Sequence, residues 1–525
     1  MTDRSDSPLL IGIDVGTQSI RASAFDTRGR KIAQATRPTP VRMLEGGRGE
    51  YDPDSLFTIV LACLAETARA LAGRPVAGMA VASLGESCVL LDEQDRSLAP
   101  SIVWHDRRTE DAARALADRI GADRLFQLTG LALDPTLTLC KLAWMRRHWP
   151  DAVARARRIH TMADWIAFRL SGVSATDHTL ASRTLYFDIH RRAWSEELLA
   201  LVGLAPAILA PLAASGAPLG PVRPEVLAET GLAGRPIVAA GGHDHVCGSY
   251  GAGVVKPGLM LDSMGTAEAA LLVTEAPQRD PAVKRHGFIQ GAIATHRALA
   301  YLGGTNNSCG GAIEWFRALA GNPPHESLIA EASAIEPGSQ GVVFLPHLVY
   351  GPPPDPDTAS RGAFIGLTAH VGRAALYRAV LEGLALQMRL MLEAMAALPG
   401  IAAPNEIRAI GGNSRNALFM QIKADVYARP ITVVDEPEAS ALGAALLGGV
   451  AAGLWPDLDA ALAGLDRRDH VVEPQREQAA RYDELRKCVF APLQPALSTI
   501  NRELTNRSSG PGARRQRRGW KPGAA

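Results

Sequence analysis

Apolar residues alternate with small or polar ones from Leu9 to Phe25, and this period of two predicts paired strands rather than a helix. A turn at Asp26-Thr-Arg-Gly29 carries the run on as a β-hairpin to residue 35. From Leu56 to Leu71 the apolar positions fall at helical spacing, and Val76 to Ala82 returns to a strand that stops at Ser83-Leu-Gly-Glu86. Cys88 to Asp92 and Ile102 to Trp104 read as a second hairpin-like pair. Helical spacing recurs over 107–118, 139–147 and 150–158, and Gly234 to Gly242 is a buried strand stopped by glycines. From Leu259 the pattern restarts with a strand hairpin, followed by helices near 308–320, 373–397 and 415–428.

Strand-rich beginnings followed by helices, repeated once, predict an α/β protein of two similar halves. A chain of 525 residues also exceeds a single core. The expected units are 8–252 and 257–490, with the boundary near Gly251–Pro257. Ala439 to Trp455 is the least charged long run; its Ala and Gly content predicts a closely packed internal helix rather than a membrane span.

Charge changes this picture at one end only. The net charge is +1, but seven Lys/Arg from Arg502 onward face one acid, Glu503, so the body is mildly acidic. The basic stretch 503–525 has the composition of a disordered tail, and the body carries no nucleic-acid footprint. Six scattered cysteines form no CxxC pair, which indicates neither a disulfide framework nor a zinc site. The polar start leads straight into a strand and is no signal peptide, so a cytoplasmic, reduced protein is expected.

Two distant stretches look like one device built twice. Leu10 to Phe25 and Leu259 to Val273 each hold an apolar strand, an Asp near its end (Asp14, Asp262), a Gly-Thr turn (Gly16-Thr17, Gly265-Thr266) and a second strand. Such turns offer backbone N–H groups and hydroxyls to an anion, with no Cβ at the glycine to hold it off. One copy is a hairpin; two suggest a clamp on a polyphosphate, with Asp14 ordering Mg²⁺ through its waters. Gln18, Ser19 and Arg21 extend the same polar surface. No Walker loop and no GxGxxG fingerprint occurs.

Two further segments fit that reading. At Ile410-Gly411-Gly412-Asn413-Ser414-Arg415-Asn416 a strand enters a Gly-Gly turn, and a helix starts behind capping residues. Glycines there let a base or an α-phosphate approach the backbone. At Gly241-Gly242-His243-Asp244-His245 a carboxylate stands at the C-terminal end of a buried strand, where α/β enzymes place chemistry. Asp244 there suits a general base that accepts the proton of an attacking hydroxyl. A rival reading takes His243 and His245 as a metal pair, which needs further ligands at other strand ends.

These residues resemble the FGGY carbohydrate kinases from about Leu9 to Leu485. The match includes Trp104-His-Asp106-Arg-Arg-Thr109, Thr129 to Pro135, Ala163-Asp164-Trp165 through Gly172, Thr176 to Asp188 with Trp194, and the two segments Arg361 to Leu367 and Leu376 to Gly383. The resemblance implies two ribonuclease-H-like domains, the actin and Hsp70 architecture, closing over ATP, Mg²⁺ and a sugar or polyol. It implies Asp244 as catalytic base. By position, Thr17, Gln18, Ser19, Thr266, Gly310, Glu314, Gly412 and Asn416 are implied ATP contacts. Glycerol kinases of the family hold substrate with an Arg-Glu pair and a Tyr; here those places read Gly85-Glu86 and Thr136, so glycerol is not the expected substrate. Xylulokinase-like proteins usually show Met-His near Gly85, so D-xylulose is not favoured either. Gly85 and Thr136 are read as leaving room for a longer polyol or ketose, with Glu86, Trp104, Asp106 and His245 at the substrate. Ala267-Glu268, where relatives carry small or hydroxyl residues, questions the fine contacts of the second turn.

The reading is an ATP-dependent sugar kinase. An actin- or Hsp70-like ATPase acting as an assembly machine is the rival, and a catalytically idle sensor the third possibility. The partner is a small sugar or polyol, with no nucleic acid and no membrane; a homodimer is common in such families.

Overall fold

The structure is a computed structural model that describes residues 7–508. Two seven-stranded sheets organise it. In the first, the strand order is Pro218–Pro221, Gly234–Ala239, Val76–Ser83, Leu9–Val15, Ser19–Phe25, Lys31–Pro38, with Gly242–His243 added beside the end of Val76–Ser83. In the second it is Ile289–Ala294, Ala298–Asn306, Glu268–Thr274, Leu259–Met264, Glu406–Ile410, Ile431–Val433, His470–Val472. Each sheet builds the same motif. The Asp-bearing strand pairs antiparallel with the strand after its Gly-Thr turn and parallel with a strand on its other side. The repeat read from the sequence is therefore a repeat of topology, not of turns alone.

The central strands are buried on both faces, which is why Leu9 to Val15 is nearly all apolar. On one face of the first sheet lies helix Pro53–Ala70, whose buried Leu56, Val60 and Leu64 recur at helical spacing. Its other face is covered by a helix from far along the chain, Ala439–Ala451. That helix is nearly all Ala, Leu and Gly because the sheet and helix Asp244–Gly251 come too close for larger side chains. A Cβ on Gly12 would lie 1.7 Å from the Ala441 carbonyl oxygen, and one on Gly443 1.9 Å from that of Cys247. The predicted internal helix is thus the seam between the halves.

Two expectations fail. Cys88–Leu91 does not pair with the strand after it; it runs antiparallel to Arg158–Thr161, while Ser101–Ile102 joins Gly49–Tyr51. Period-two patterning marks a strand but not its partner, and the segment between them is pinned by Asp92 accepting from Gln94 and Arg96 backbone N–H groups. The basic tail also begins as structure: helix Ala491–Ser508 runs through its first residues, so 503–508 are helical. Residues 509–525 lie outside the described ones. Among the described residues, no helix is long and apolar enough to cross a membrane.

Candidate active site

The first sheet's Gly-Thr turn opens onto a cleft of about 330 Å³, lined from one side by Asp14, Thr17, Asp244 and His245 and from the other by Leu261, Ser263 and Ile410 of the second sheet, while the second turn, Gly265-Thr266, lies outside this lining. Gly16, Gln18, Ser19 and Arg21 line it too, as does Ser440 of the seam helix. The first turn is held by backbone: Gly16 N–H donates to Ser19 at 3.0 Å, and the Thr39 hydroxyl and N–H bond the Gly16 and Gln18 carbonyls. Trp104 comes over it and donates from Nε1 to Thr17 Oγ1 at 2.9 Å. Trp104 is 40 % exposed, so part of its ring is open to solvent.

Asp14 sits beneath that turn. Burial pushes its carboxyl up to about 7; nearby Asp244 and Glu438 add to the shift, and Arg21 opposes it. Arg21 spans the acids, 3.1 Å from Glu438 and 3.8 Å from Asp14. Asp14 and Glu438 flank the one arginine and Asp244 bears on Asp14, so this part of the cleft is short of positive charge, which suits a hydrated divalent cation. Among the described residues, no group of three or more His, Cys, Asp or Glu is placed to hold a metal ion directly. The His243–His245 metal reading therefore lacks its further ligands, and the two imidazoles stack at 5.5 Å instead.

Asp244 begins the helix after strand Gly242–His243. Its Oδ1 accepts from its neighbour's N–H, His245, at 2.7 Å, and Ser440 Oγ donates to its carbonyl at 3.1 Å. His243 behind it is buried, which pushes its imidazole down to about 4 and keeps it neutral at pH 7. Gly241 admits no side chain, since a Cβ would fall 1.8 Å from the Val81 carbonyl oxygen.

The second turn is built differently. Asp262 and Glu268 are fully buried and share the Lys423 ammonium, so neither faces the cleft. Lys423 comes from helix Ala417–Tyr427, and the unexpected Glu268 is half of its buried cluster. The turn itself is braced from outside: Gly310 and Gly311 N–H groups donate to the Gly265 and Thr266 carbonyls, and Asn413 Nδ2 donates to Gly265 at 3.1 Å. Gly265 and Thr266 stay exposed. Gly310 thus bears on the turn, with room for no Cβ: it would lie 2.5 Å from the Gly265 oxygen. Gly411, at φ +97°, packs as closely on Met264, whereas nothing lies within 4 Å of a Cβ at Gly412. Asn416 caps helix Ala417–Tyr427 by accepting from Phe419 N–H at 3.1 Å. Glu314 is half-exposed on the adjacent helix, paired with Arg317 and His325.

Two substrate expectations need correction. Asp106 does not reach the cleft. It is fully buried, with one oxygen accepting from Gly49 N–H and Arg108, and the other from Arg108 N–H. A polar residue beyond a strand reads alike whether it faces a ligand or plugs a loop. The space at Gly85 is not vacant either: a Cβ there would stand 3.0 Å from His243 and 3.1 Å from Arg183. The charge is also present, because Arg183 donates from Nε and Nη2 to Glu86 Oε1 at 2.8 and 2.7 Å. Arg183 further bonds the hydroxyl of Tyr301, from the second sheet, and its buried Nη1 has no partner among the described residues. Glu86 itself is held at φ +60°. Sequence reasoning passed over Arg183 and Tyr301; no local pattern ties either to Glu86. It also passed over Lys141, whose buried Nζ donates to the Glu86 carbonyl at 3.2 Å and that of Val103 at 2.9 Å, fixing both loops beside the cleft.

Two sheets of one repeated topology, meeting at a cleft lined by the first Gly-Thr turn and Asp244, define an actin-like, two-domain ATP-binding protein. The profile of the FGGY family of carbohydrate kinases, N-terminal domain, matches residues 9–251, and that of the C-terminal domain matches 260–452. A glycerol kinase of Aromatoleum aromaticum is 34% identical over 489 residues, 89% of this chain and 94% of its own. An apulose kinase of Pectobacterium atrosepticum is 33% identical over 478 residues, again 89% and 94%. The crystal structure of xylulose kinase from Rhodospirillum rubrum superposes with TM-score 0.84 at 27% identity, covering 94% of this chain and 100% of that one. The chain belongs to the FGGY family of carbohydrate kinases and is an ATP-dependent sugar kinase.

Proposed function

We propose that the enzyme transfers the γ-phosphate of ATP to a primary hydroxyl of a ketose, such as a pentulose, or of a polyol longer than glycerol, with Asp244 as general base. The observation that carries this is the meeting of Asp244 and the first phosphate turn in one cleft. In this reading the hydroxyl oxygen attacks the γ-phosphorus, its proton passes to Asp244, and ADP leaves. Neutral His243 packs behind the base without competing for the proton. Asp14, with Glu438 and Arg21 around it, would hold Mg²⁺ through waters; the ion supplies neutralisation of phosphate charge. The two Gly-Thr turns orient the phosphates, and the open space above Gly412 takes the nucleoside.

Glu86, held by Arg183, is the proposed reader of substrate hydroxyls, with Trp104 and His245 packing on carbon faces. Because Arg183 restores a cation beside Glu86, the argument against glycerol rests on Thr136, which is engaged with Asp134 at 2.6 Å. The functional units of this reading are 8–252 and 257–490, in a cytoplasmic enzyme; five of its six cysteines are free and buried.

A coupled ADP-release assay over pentuloses, hexuloses, aldoses, polyols and glycerol, with a no-sugar control, tests the proposal. Stimulation by one ketose or longer polyol above glycerol is expected. Turnover highest with glycerol overturns the substrate class, and turnover indifferent to every sugar overturns the acceptor role.

A further inference from the structure

Lys141, on helix Thr138–His148, is fully buried, yet its ammonium forms no ion pair among the described residues. Four backbone carbonyls surround it instead: Val103 at 2.9 Å, Glu86 at 3.2 Å, Trp104 at 3.4 Å and Ile102 at 3.5 Å. Burying a charge is costly unless every N–H finds an acceptor, and here the acceptors come from two separate loops. One loop carries Glu86 and the other Trp104, the two residues assigned to the sugar. One atom thus reaches behind both.

The Glu86 loop depends on outside support. Glu86 sits at φ +60°, a left-handed conformation that a side chain disfavours. Its carboxylate is held by Arg183 at 2.8 and 2.7 Å, and its carbonyl by the Thr138 hydroxyl at 3.1 Å as well as by Lys141. On the other loop, the Val103 carbonyl also accepts from Asp106 N–H, and the Trp104 indole reaches Thr17. A lysine ammonium is donor only, with three N–H groups; a neutral amine has two, and a lone pair that repels any further carbonyl. The charge on Lys141, and not its length alone, lets one nitrogen serve both loops.

The surroundings leave that charge exposed to pH. Burial pushes Lys141 down to about 8, opposed by Glu86, Cys88, Asp106 and Cys140. Glu86 is paired with Arg183, and Asp106 with Arg108. Burial raises the Cys88 and Cys140 thiols to about 11 and about 12, and both burial and Lys141 lower the neighbouring His105 imidazole. Lys141 is therefore the group of this cluster that loses charge between pH 7 and 9.

We propose that Lys141 is a positioning residue for the acceptor: its ammonium holds the Glu86 and Trp104 loops at the spacing that binds the sugar, so its charge governs sugar affinity ahead of ATP affinity. The inference rests on the substrate reading above, in which Glu86 and Trp104 meet the sugar. Stability carries the opposite sign. Between about 8 and the ordinary lysine pKa, the folded chain has released a proton that the unfolded chain still holds, so this group favours the fold more as pH rises. Sugar affinity that falls through the same window is thus not unfolding on Lys141's account.

Steady-state kinetics of the full chain from pH 7 to 9 test this in the parent and in Lys141→Met, using the acceptor that most stimulates ADP release. In the parent the sugar KM is expected to rise by about threefold or more over that range, while the KM for ATP does not rise. Lys141→Met, of similar length, should raise the sugar KM by about tenfold or more at pH 7 and abolish its rise with pH. Comparison with the variant separates Lys141 from Asp14 and Glu268, which titrate near this window on the nucleotide side. A parent sugar KM that stays flat from pH 7 to 9 overturns the proposal, and that result needs no soluble variant. An equal pH rise in Lys141→Met, or sugar and ATP KM values that climb together in it, overturns it too, leaving Lys141 a general brace. ADP release that no acceptor stimulates overturns the substrate reading itself, before Lys141 is varied.

Discussion

Replacing Lys423 with Met probes what holds the second phosphate turn. The Lys423 ammonium lies 2.5 Å from Asp262, also bonds Glu268, and donates to Tyr427 at 2.8 Å, with no exposure at any of the three charged side chains. Burial pushes the Glu268 carboxyl upward, Asp262 beside it adds to the shift, and Lys423 opposes it. One ammonium therefore serves two carboxyls, and Glu268, pushed up to about 8, holds its proton at pH 7. Methionine keeps the length and packing of lysine but leaves Asp262 without a counter-ion. Two routes give the cost. Removing one partner of a buried pair costs about 3–5 kcal/mol. Protonating an ordinary aspartate at pH 7 instead costs about 4 kcal/mol, about three pKa units at 1.4 each. The urea midpoint of the second half should fall by at least about 1 M, taking m as about 3 kcal/mol/M. The KM for ATP should rise as strand Leu259–Met264 loses its brace. Glu268→Gln, an amide in place of a protonated carboxyl, should be tolerated at pH 7. Its pH profile carries a sign. Between the ordinary glutamate pKa and the raised one, the folded chain holds a proton the unfolded chain has released, so stability falls as pH rises through that window. Glu268→Gln should flatten this slope. A Lys423→Met midpoint within 0.3 M of the parent, on the same order-of-magnitude m, would refute the argument.

Asp244→Asn should retain nucleotide binding by calorimetry while kcat falls by about three orders of magnitude or more, and near-normal turnover removes Asp244 as base. Arg183→Met should raise the sugar KM about tenfold or more, with a smaller effect on the KM for ATP, because it frees Glu86 rather than the phosphate turns; equal effects on both would contradict that division. Gly443→Val should yield no soluble enzyme at 37 °C, since its side chain meets backbone on helix Asp244–Gly251; a soluble, active variant would show that the seam can open.

Much of this architecture was readable because it is local. Alternation from Leu9 to Phe25, the helical spacing of 373–397 and the Ala-Gly run at 439 each specify an element without reference to distant residues. The doubled Gly-Thr turn and the glycine-rich strand before Asp244 were readable because close backbone approach demands particular residues at particular spacings. Pairing was not. Cys88–Leu91 chose Arg158–Thr161 over its nearer neighbour, and nothing in either segment encodes that choice. The same holds for charge: Arg183 finds Glu86 across 97 residues and Lys423 finds Asp262 across 161. Asp106 failed for a related reason, since a carboxylate that plugs a loop and one that grips a hydroxyl have the same sequence signature.

The seam helix has a consequence for biosynthesis. Residues 9–83 of the first sheet leave the ribosome long before Ala439–Ala451 exists, yet the sheet face around Gly12 and Gly78 is shaped for that helix and little else. Until the second half is almost fully translated, this face stays bare, and a chain that stops early never covers it. Completion of the last third of the message is therefore a condition for closing the first domain, so truncated products carry an apolar mark that chaperones and proteases read.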